Sequence, residues 1–339
     1  MSSLRMSRPD AETLRESLQP ESRLLQMLQD VALSITAPSI TGRIGRYILR
    51  QIRSGVLSAY DPAVIYELAG SKLLLPFSHQ LPYILQLCPE YTMNIARLAK
   101  HVQDKYSDMA IIDIGANVGD TLAIIRSTVD APVLCIEGED RFFALLEGNA
   151  KRFSNVELAH AFVGTDVLPA SFKVSSNGGT ARLTATDSQD TVPMRTLDAI
   201  LDEHPSFRAT LQLIKIDTDG FDVPILLSSL DLLGRRRPVV FFEYSPFHLT
   251  QLHVDGLRVF ERLREIGFAL AIIWENGGEF LLSADLGDER LFQDLHHYYS
   301  GRRGGKYCDI ALFAAHDRDV FDAVRAGEIT LFQALRGAP

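Results

Sequence analysis

The sequence predicts an α/β fold: an open, mostly parallel sheet flanked by helices and preceded by a helical N-terminal region. Three observations predict it. After Ser107, short apolar runs alternate with helical patterns, as βαβ units require. One run, Ala110–Ile114, passes directly into the turn Gly115-Ala116-Asn117-Val118-Gly119 and then into a helical pattern beginning at Thr121. Polar residues also recur at the same end of successive runs: Asp113 to Gly119, Glu137-Gly138-Glu139, Val163-Gly164-Thr165-Asp166, Asp217-Thr218-Asp219-Gly220 and Glu243-Tyr244-Ser245. Ligands of open α/β sheets bind beyond the carboxyl ends of the strands, so this repetition marks a binding edge.

Taken in order, residues 1–20 are charged, lack apolar periodicity and read as a disordered tail. Residues 21–105 carry helical spacing, as in Leu24-Leu25-Met27-Leu28-Val31 and Ile44-Ile48-Ile52. They form a helical region suited to a lid, a homodimer element or both. Within it, the stretch from Leu73 to Tyr83 breaks the pattern, and Pro76 and Pro82 each demand an extended segment or a helix boundary. Residues 106–320 form the sheet domain. Its runs are Ala110–Ile114, Val133–Ile136, Val156–Phe162, Leu211–Ile216 and Val239–Phe242, closed by Phe268–Trp274 and Tyr307–Phe313. A small hairpin, Phe172–Ser175 with Ala181–Thr186, is predicted around Asn177-Gly178-Gly179. Residues 321–339 make a C-terminal helix and tail.

With 339 residues and 46% hydrophobic side chains, the chain can build one large core and an appendage. Cys88, Cys135 and Cys308 are odd in number and far apart, which suggests neither a disulfide framework nor a zinc site and fits a cytoplasmic setting. No apolar stretch approaches the roughly 20 residues of a membrane span, and the N-terminus does not read as a signal peptide. The net charge of −9 argues against a nucleic-acid partner.

Gly115 and Gly119 let backbone approach a ligand closely. A dinucleotide-binding turn would carry glycine where Asn117 stands, making room for a pyrophosphate. Glu137 ends the second run, where a carboxylate can accept hydrogen bonds from a ribose diol, or else cap the helix from Arg141 to Lys151.

The pattern D-x-G-A-N-x-G at 113–119 resembles the first motif of class I S-adenosylmethionine-dependent methyltransferases, whose loop holds the methionine carboxylate and amino group. Three further stretches are Arg195-Thr196-Leu197-Asp198, Lys215-Ile216-Asp217-Thr218-Asp219-Gly220-Phe221-Asp222 and Pro238 to Glu243. They resemble the FkbM methyltransferases, which show T-L-D, K-x-D-x-E-G-x-E and P-x-x-x-x-E in this order. The resemblance spans about residues 70 to 315, and residues 75–82 resemble a segment some members carry upstream. It implies a Rossmann-like class I methyltransferase sheet of seven strands with the last antiparallel, S-adenosylmethionine as cofactor, and O-methylation in natural-product or saccharide biosynthesis. The acceptor would be a hydroxyl of a sugar, polysaccharide or secondary metabolite. The implied cofactor residues are Asp113, Gly115, Ala116, Asn117, Gly119, Asp120, Thr121, Glu137, Gly138, Val163 and Asp217. Asp219 and Asp222 depart from the family's glutamates and are each one methylene shorter.

An alcohol is a poor nucleophile near neutral pH and needs a base, or a cation that lowers its pKa. The candidate catalytic residues are Asp217, Asp219, Glu243, His79 and His248. For Asp217 the alternative is a loop organiser, for each histidine a structural hydrogen bond, and for Asp222 a helix N-terminal acid. Lys215, odd within an apolar strand, needs a buried partner, and Glu243 is the expected one. A divalent ion held by Asp217, Asp219, Asp222 and Glu243 is not favoured, because their spacing matches no metal motif. The run from His296 to Lys306 reads as a solvated loop, or as a loop that binds a sugar ring and an attached phosphate. Two other functions stay open: an NAD(P)-dependent oxidoreductase, against which Asn117 speaks, and a non-catalytic binding protein on the same fold.

Overall fold

The computed structural model describes residues 18–34, 51–57, 60–164, 171–177, 180–186, 193–302 and 305–337. Its N-terminal part opens with α1 (Arg23–Ser34) and a helical segment at 51–57 (α2). A hairpin, β1 (Ala63–Leu68) and β2 (Ser71–Pro76), follows, then α3 (Leu81–Leu87) and α4 (Met93–Lys105). The hairpin departs from the expected all-helical region. Its turn is Ala69-Gly70, with φ of 49° and 79°; positive φ at both central residues is what a type I′ hairpin turn needs, and Ala in the first place hides the usual sequence signal. The two prolines behave as expected, Pro76 ending β2 and Pro82 lying in the first turn of α3.

The domain continues β3 (Ala110–Ile114), α5 (Asp120–Arg126), β4 (Val133–Glu137), α6 (Asp140–Ala150), β5 (Val156–His160) and β6 (Phe162–Val163). A small hairpin, β7 (Ser171–Asn177) and β8 (Thr180–Thr186), matches expectation; its turn residues Gly178 and Gly179 lie outside the described residues. Then come β9 (Met194–Arg195), α7 (Leu197–Glu203), α8 (Pro205–Thr210), β10 (Leu211–Ile216), α9 (Asp222–Ser228), α10 (Leu230–Arg236) and β11 (Val239–Tyr244). The chain closes with α11 (Pro246–Gln251), α12 (Arg258–Glu265), β12 (Phe268–Glu275), β13 (Phe280–Asp285), α13 (Glu289–Ser300), β14 (Cys308–Ala314) and α14 (Arg318–Gly337).

The main sheet runs β13-β12-β14-β11-β10-β3-β4-β5. Strands β5, β4, β3, β10 and β11 pair in parallel, while β14 is antiparallel to both its neighbours. The antiparallel last strand was expected. The eighth strand, β13, was not: it folds back on β12 across Asn276-Gly277-Gly278, and Phe280-Leu281-Leu282 is too short an apolar run to stand out. The third expected run also divides at Ala161, so that Phe162-Val163 leaves the sheet and pairs with β9 instead.

Two apolar layers enclose the sheet. Ile112, Ile114, Ile214, Ile216 and Phe242 pack with Leu197, Ile225, Leu233 and Phe260 on one face. Ile111, Leu213, Phe241 and Phe313 pack with Leu98, Val102, Leu122, Leu146 and Val320 on the other. Side chains alternate along a strand, so Asp113, Lys215, Glu243 and Asp309 fall on this second face. It is the face covered by α4, α5, α6 and α14.

One buried amide ties the N-terminal hairpin to the domain. Asn149 on α6 is 0% exposed; its Oδ1 accepts from Leu74 N (2.8 Å), and its Nδ2 donates to Leu74 O and Val118 O (both 2.9 Å). Asn149→Ala strands these groups, and a loss of about 1–3 kcal/mol per unsatisfied group sets the expected scale. Urea denaturation checks this; an unchanged midpoint would mean that the hairpin is held without this amide.

Candidate active site

A cavity of about 650 Å³ opens at the carboxyl ends of β3, β4, β10 and β11, beside the switch point where the chain crosses from β5 back to β10. The position follows from topology, since strand order reverses there and leaves a crevice. Twelve of the candidate cofactor and catalytic residues line it: His79, Gly115, Asn117, Asp120, Thr121, Glu137, Gly138, Val163, Asp217, Asp219, Glu243 and His248. Asp113, Ala116 and Gly119 do not; they shape the turn from below, Asp113 and Ala116 being almost wholly buried.

Gly115 sits at φ 76°, and a Cβ there would collide with the carbonyl oxygen of Asp217. The absence of a side chain is what lets the turn after β3 lie against the end of β10. Beside it, Glu137 is 7% exposed and accepts three backbone N–H groups: Asn117 (2.8 Å) on Oε2, Gly138 (2.9 Å) and Glu139 (2.8 Å) on Oε1. Burial raises its pKa and these bonds oppose the rise. The carboxylate therefore builds the loop as well as facing the cavity, with one of about four acceptor positions left. It does not cap α6: Glu139 does, accepting from Phe142 N at 2.7 Å.

Beneath the turn, Lys215 is 2% exposed and pairs with Asp113 (3.0 Å) and, more loosely, Asp217 (3.5 Å). The expected partner, Glu243, is corrected by the register. Lys215 lies opposite Asp113 on β3 but opposite Phe241 on β11, two residues short of Glu243. Burial works against the Lys215 charge, yet Asp113 and Asp217 outweigh it and hold the ammonium above its ordinary range.

The other half of the cavity is acidic. Ile216 pairs with Phe242, so Asp217 falls level with Glu243, and Glu243 is registered against Asp309 on β14. Three carboxylates from three adjacent strands thus form one rank. Glu243 is 8% exposed, and burial followed by the Asp217, Asp222 and Asp219 charges pushes its pKa well up. Asp309 accepts from Asn94 Nδ2 at 3.0 Å; burial and Asp217 still push it up to about 7. Asp222 stands in the first turn of α9, where a helix N-terminal acid was expected, and its carboxylate is committed to the preceding loop, accepting from Thr218 N (3.3 Å), Thr218 Oγ1 (3.3 Å) and Gly220 N (3.2 Å). His248 Nδ1 lies 3.7 Å from Glu243 Oε1.

His79 closes the cavity from the N-terminal side. Its Nδ1 accepts from Leu81 N at 3.2 Å, and burial lowers its pKa against the opposing pull of Asp120. Its segment is strapped by Arg53, which donates to Phe77 O (2.9 Å) and Ser78 O (2.7 Å), and by Asp61, which accepts from Ser78 N (2.7 Å) and pairs with Arg141 (2.6 Å). Tyr91, Thr92 and Tyr307 complete this wall, with the two tyrosine hydroxyls 3.4 Å apart. Thr92, Asn117 and Asp219 all have φ near 50–65° and all line the cavity. Asn and Asp tolerate that region, but for Thr it is an outlier of the kind that clusters at functional sites.

Tyr91, Thr92, Asn94 and Asp309 escaped the sequence reading. Asp309 carried a signal equal to that of Lys215, a charge inside an apolar strand; Tyr91 and Thr92, between two helices, carried none. The run from His296 to Lys306, expected as a loop, is helical through Ser300 as the end of α13, because Phe292, Leu295 and Tyr299 keep an apolar stripe in register. Its residues 303 and 304 lie outside the described residues. Among the described residues, no three His, Cys, Asp or Glu side chains are grouped to hold a metal ion, and no helix is long and apolar enough to cross a membrane.

A parallel set closed by one inserted antiparallel strand, with its cavity between a glycine turn and a strand-end glutamate, is the class I methyltransferase architecture. Within that class, residues 113–270, a little under half of the chain, match the model of the methyltransferase FkbM domain, a match that implies S-adenosylmethionine as cofactor. Among solved structures, the chain resembles a methyltransferase FkbM from Methylobacillus flagellatus KT (16% identity, 49% of this chain and 40% of that one, TM-score 0.34). It also resembles a precorrin-6y C5,15-methyltransferase from Geobacter metallireducens GS-15 (14%, 66% and 86%, 0.33) and the N-methyltransferase NodS from Bradyrhizobium japonicum WM9 (13%, 64% and 91%, 0.34). No curated protein matches the chain significantly.

Two predictions follow from the site geometry. Glu137→Ala should weaken binding of S-adenosylhomocysteine by about 1–3 kcal/mol, the scale of hydrogen bonds to a charged group, in a protein that still folds; unchanged affinity in calorimetry would separate Glu137 from the ligand. Asp309, raised from 3.8 to about 7, holds its proton in the folded state where the unfolded chain has lost it. Folding then binds more protons than unfolding, so this contribution to stability falls as pH rises between those two values. Asp309→Asn should flatten the slope of denaturation midpoint against pH across that window, and an unaltered slope would refute the assignment.

Proposed function

We propose that the chain is an S-adenosylmethionine-dependent O-methyltransferase whose acceptor is a hydroxyl of a sugar, polysaccharide or secondary metabolite. One observation carries this reading: a single cavity joins the glycine turn and Glu137 to a bank of acid–base side chains, Asp217, Asp219, Glu243 and His248. A cofactor on the first half would meet an acceptor on the second.

The residues present fit the cofactor. The cradle around Gly115 exists only because that residue has no Cβ. Asn117, Asp120 and Thr121 would face the methionine portion, Glu137 the ribose, and Gly138 and Val163 the base, with Phe162 as a missed apolar neighbour. When bound, S-adenosylmethionine supplies a methyl already activated by its sulfonium.

The chain's own task is to hold the acceptor oxygen in line and take one proton. Asp217 is the best placed base. Its carboxylate is 48% exposed toward the cavity and is steadied from below by Lys215. Asp219 and Glu243 flank it, with His248 behind Glu243 and His79 across the cavity. The metal-independent form is favoured because Asp222 is consumed by its own loop. The free thiols of Cys88, Cys135 and Cys308 fit a reducing, cytoplasmic setting.

Calorimetry with S-adenosylmethionine, S-adenosylhomocysteine and NADH tests the cofactor; binding of NADH alone would overturn the reading. Asp217→Asn should leave cofactor affinity nearly unchanged and lower methyl transfer by roughly 10²–10⁴-fold, the range of general acid–base catalysis. Turnover abolished by EDTA and restored by magnesium would replace the base with a metal.

A further inference from the structure

Resting on the methyltransferase reading, we propose that the acceptor carries a protonated amino group beside its reactive hydroxyl, and that Glu243, together with Asp219, receives that ammonium. The acceptor class is an amino sugar or similar amino-polyol.

The argument starts from a buried acceptor atom. Glu243 Oε1 is shielded from solvent and has no hydrogen-bond donor among the described residues. The basic side chain that stands beside it, His248, has its Nδ1 at 3.7 Å, beyond hydrogen-bonding reach. A buried carboxylate left in this state is costly, and its residue lines the cavity, so the missing partner is a donor that arrives with a ligand.

Charge narrows the donor further. Lys215 is the only lysine or arginine among the described residues lining the cavity, and it is spent on Asp113, Asp217 and the carbonyl of Gly115 (3.3 Å). Against it stand Asp217, Asp219 and Glu243 on the wall, with Asp222 and Asp309 close behind. Burial and this mutual repulsion drive the Glu243 carboxyl toward its neutral form, a penalty that an ammonium removes and a neutral hydroxyl does not. An ammonium also brings three donors to spread over several carboxylates, and Tyr91 and Tyr307 line the cavity with Glu243. A carboxylate or phosphate on the acceptor would add charge of the same sign. A divalent metal would need a tight cage of oxygens, and no such group stands here among the described residues.

The test is calorimetric titration of the full chain, saturated with S-adenosylhomocysteine and free of divalent metal, with glucosamine, glucose and glucuronate near neutral pH. Glucosamine should bind at least about tenfold more tightly than glucose, equivalent to one strengthened hydrogen bond to a charge, and glucuronate should not bind. Glu243→Gln should remove most of that preference; Asp219→Asn, on the loop, should also reduce it and decides the matter where the buried substitution impairs folding. Equal affinities, a preference for glucuronate, no binding of any of the three, or a preference that appears only with magnesium would overturn the proposal. Repeating the titrations without the nucleoside keeps the two readings apart. Failure of S-adenosylhomocysteine to bind counts against the cofactor assignment alone, whereas the ranking of the sugars still decides the acceptor class.

Discussion

The ion pair between Asp113 and Lys215 is the constraint on which the rest of the cavity depends. Both side chains are removed from water, and either one alone would be an uncompensated charge in the second apolar layer. They meet because β3 and β10 are paired in a register that sets them opposite each other. That pairing spans the place where strand order reverses, so the same contact that neutralises the lysine also fixes the two lips of the crevice. Lys215 then reaches Gly115 O and Asp217, linking the glycine turn to the acidic half. The pair is a poor source of net stability and an effective device for position.

Strand alternation explains why acids collect where they do. Glu243 and Asp309 point to the face roofed by α4 rather than into the layer formed by α7 to α12, because their neighbours Phe242, Tyr244, Cys308 and Ile310 occupy that layer. Among the described residues, the roof contributes one neutral donor to them in return, Asn94 to Asp309. A cluster of carboxylates under a neutral roof stays under electrostatic tension, and the strained backbone of Thr92 lies at its margin.

The sequence made the glycine-turn half of the cavity far more legible than the acidic half. Each strand of the parallel set is an apolar run with its polar residues at one end, and the glycine turn is local in sequence, so period and composition were sufficient. The partner of Lys215 was not legible, because choosing between Asp113 and Glu243 requires a register that periodicity alone does not supply. The hairpin β1–β2 was lost because Ala-Gly makes a weak turn signal, and β13 because its apolar run is short. The acidic rank needed three strands in their spatial order before Asp217, Glu243 and Asp309 could be seen as neighbours. Tyr91 and Thr92 enter only through the path of the chain between α3 and α4.

The strap that carries His79 has a consequence for how the chain is divided. Residues 113–270 hold the glycine turn, Glu137 and the ends of β10 and β11, but His79, Tyr91 and Thr92 precede that span and Tyr307 follows it. The recognisable domain is therefore a basin without its lid. Substitutions at residues 79–92 would reshape one wall while the cradle around Gly115 stays as it is, so that wall can change independently of the glycine turn.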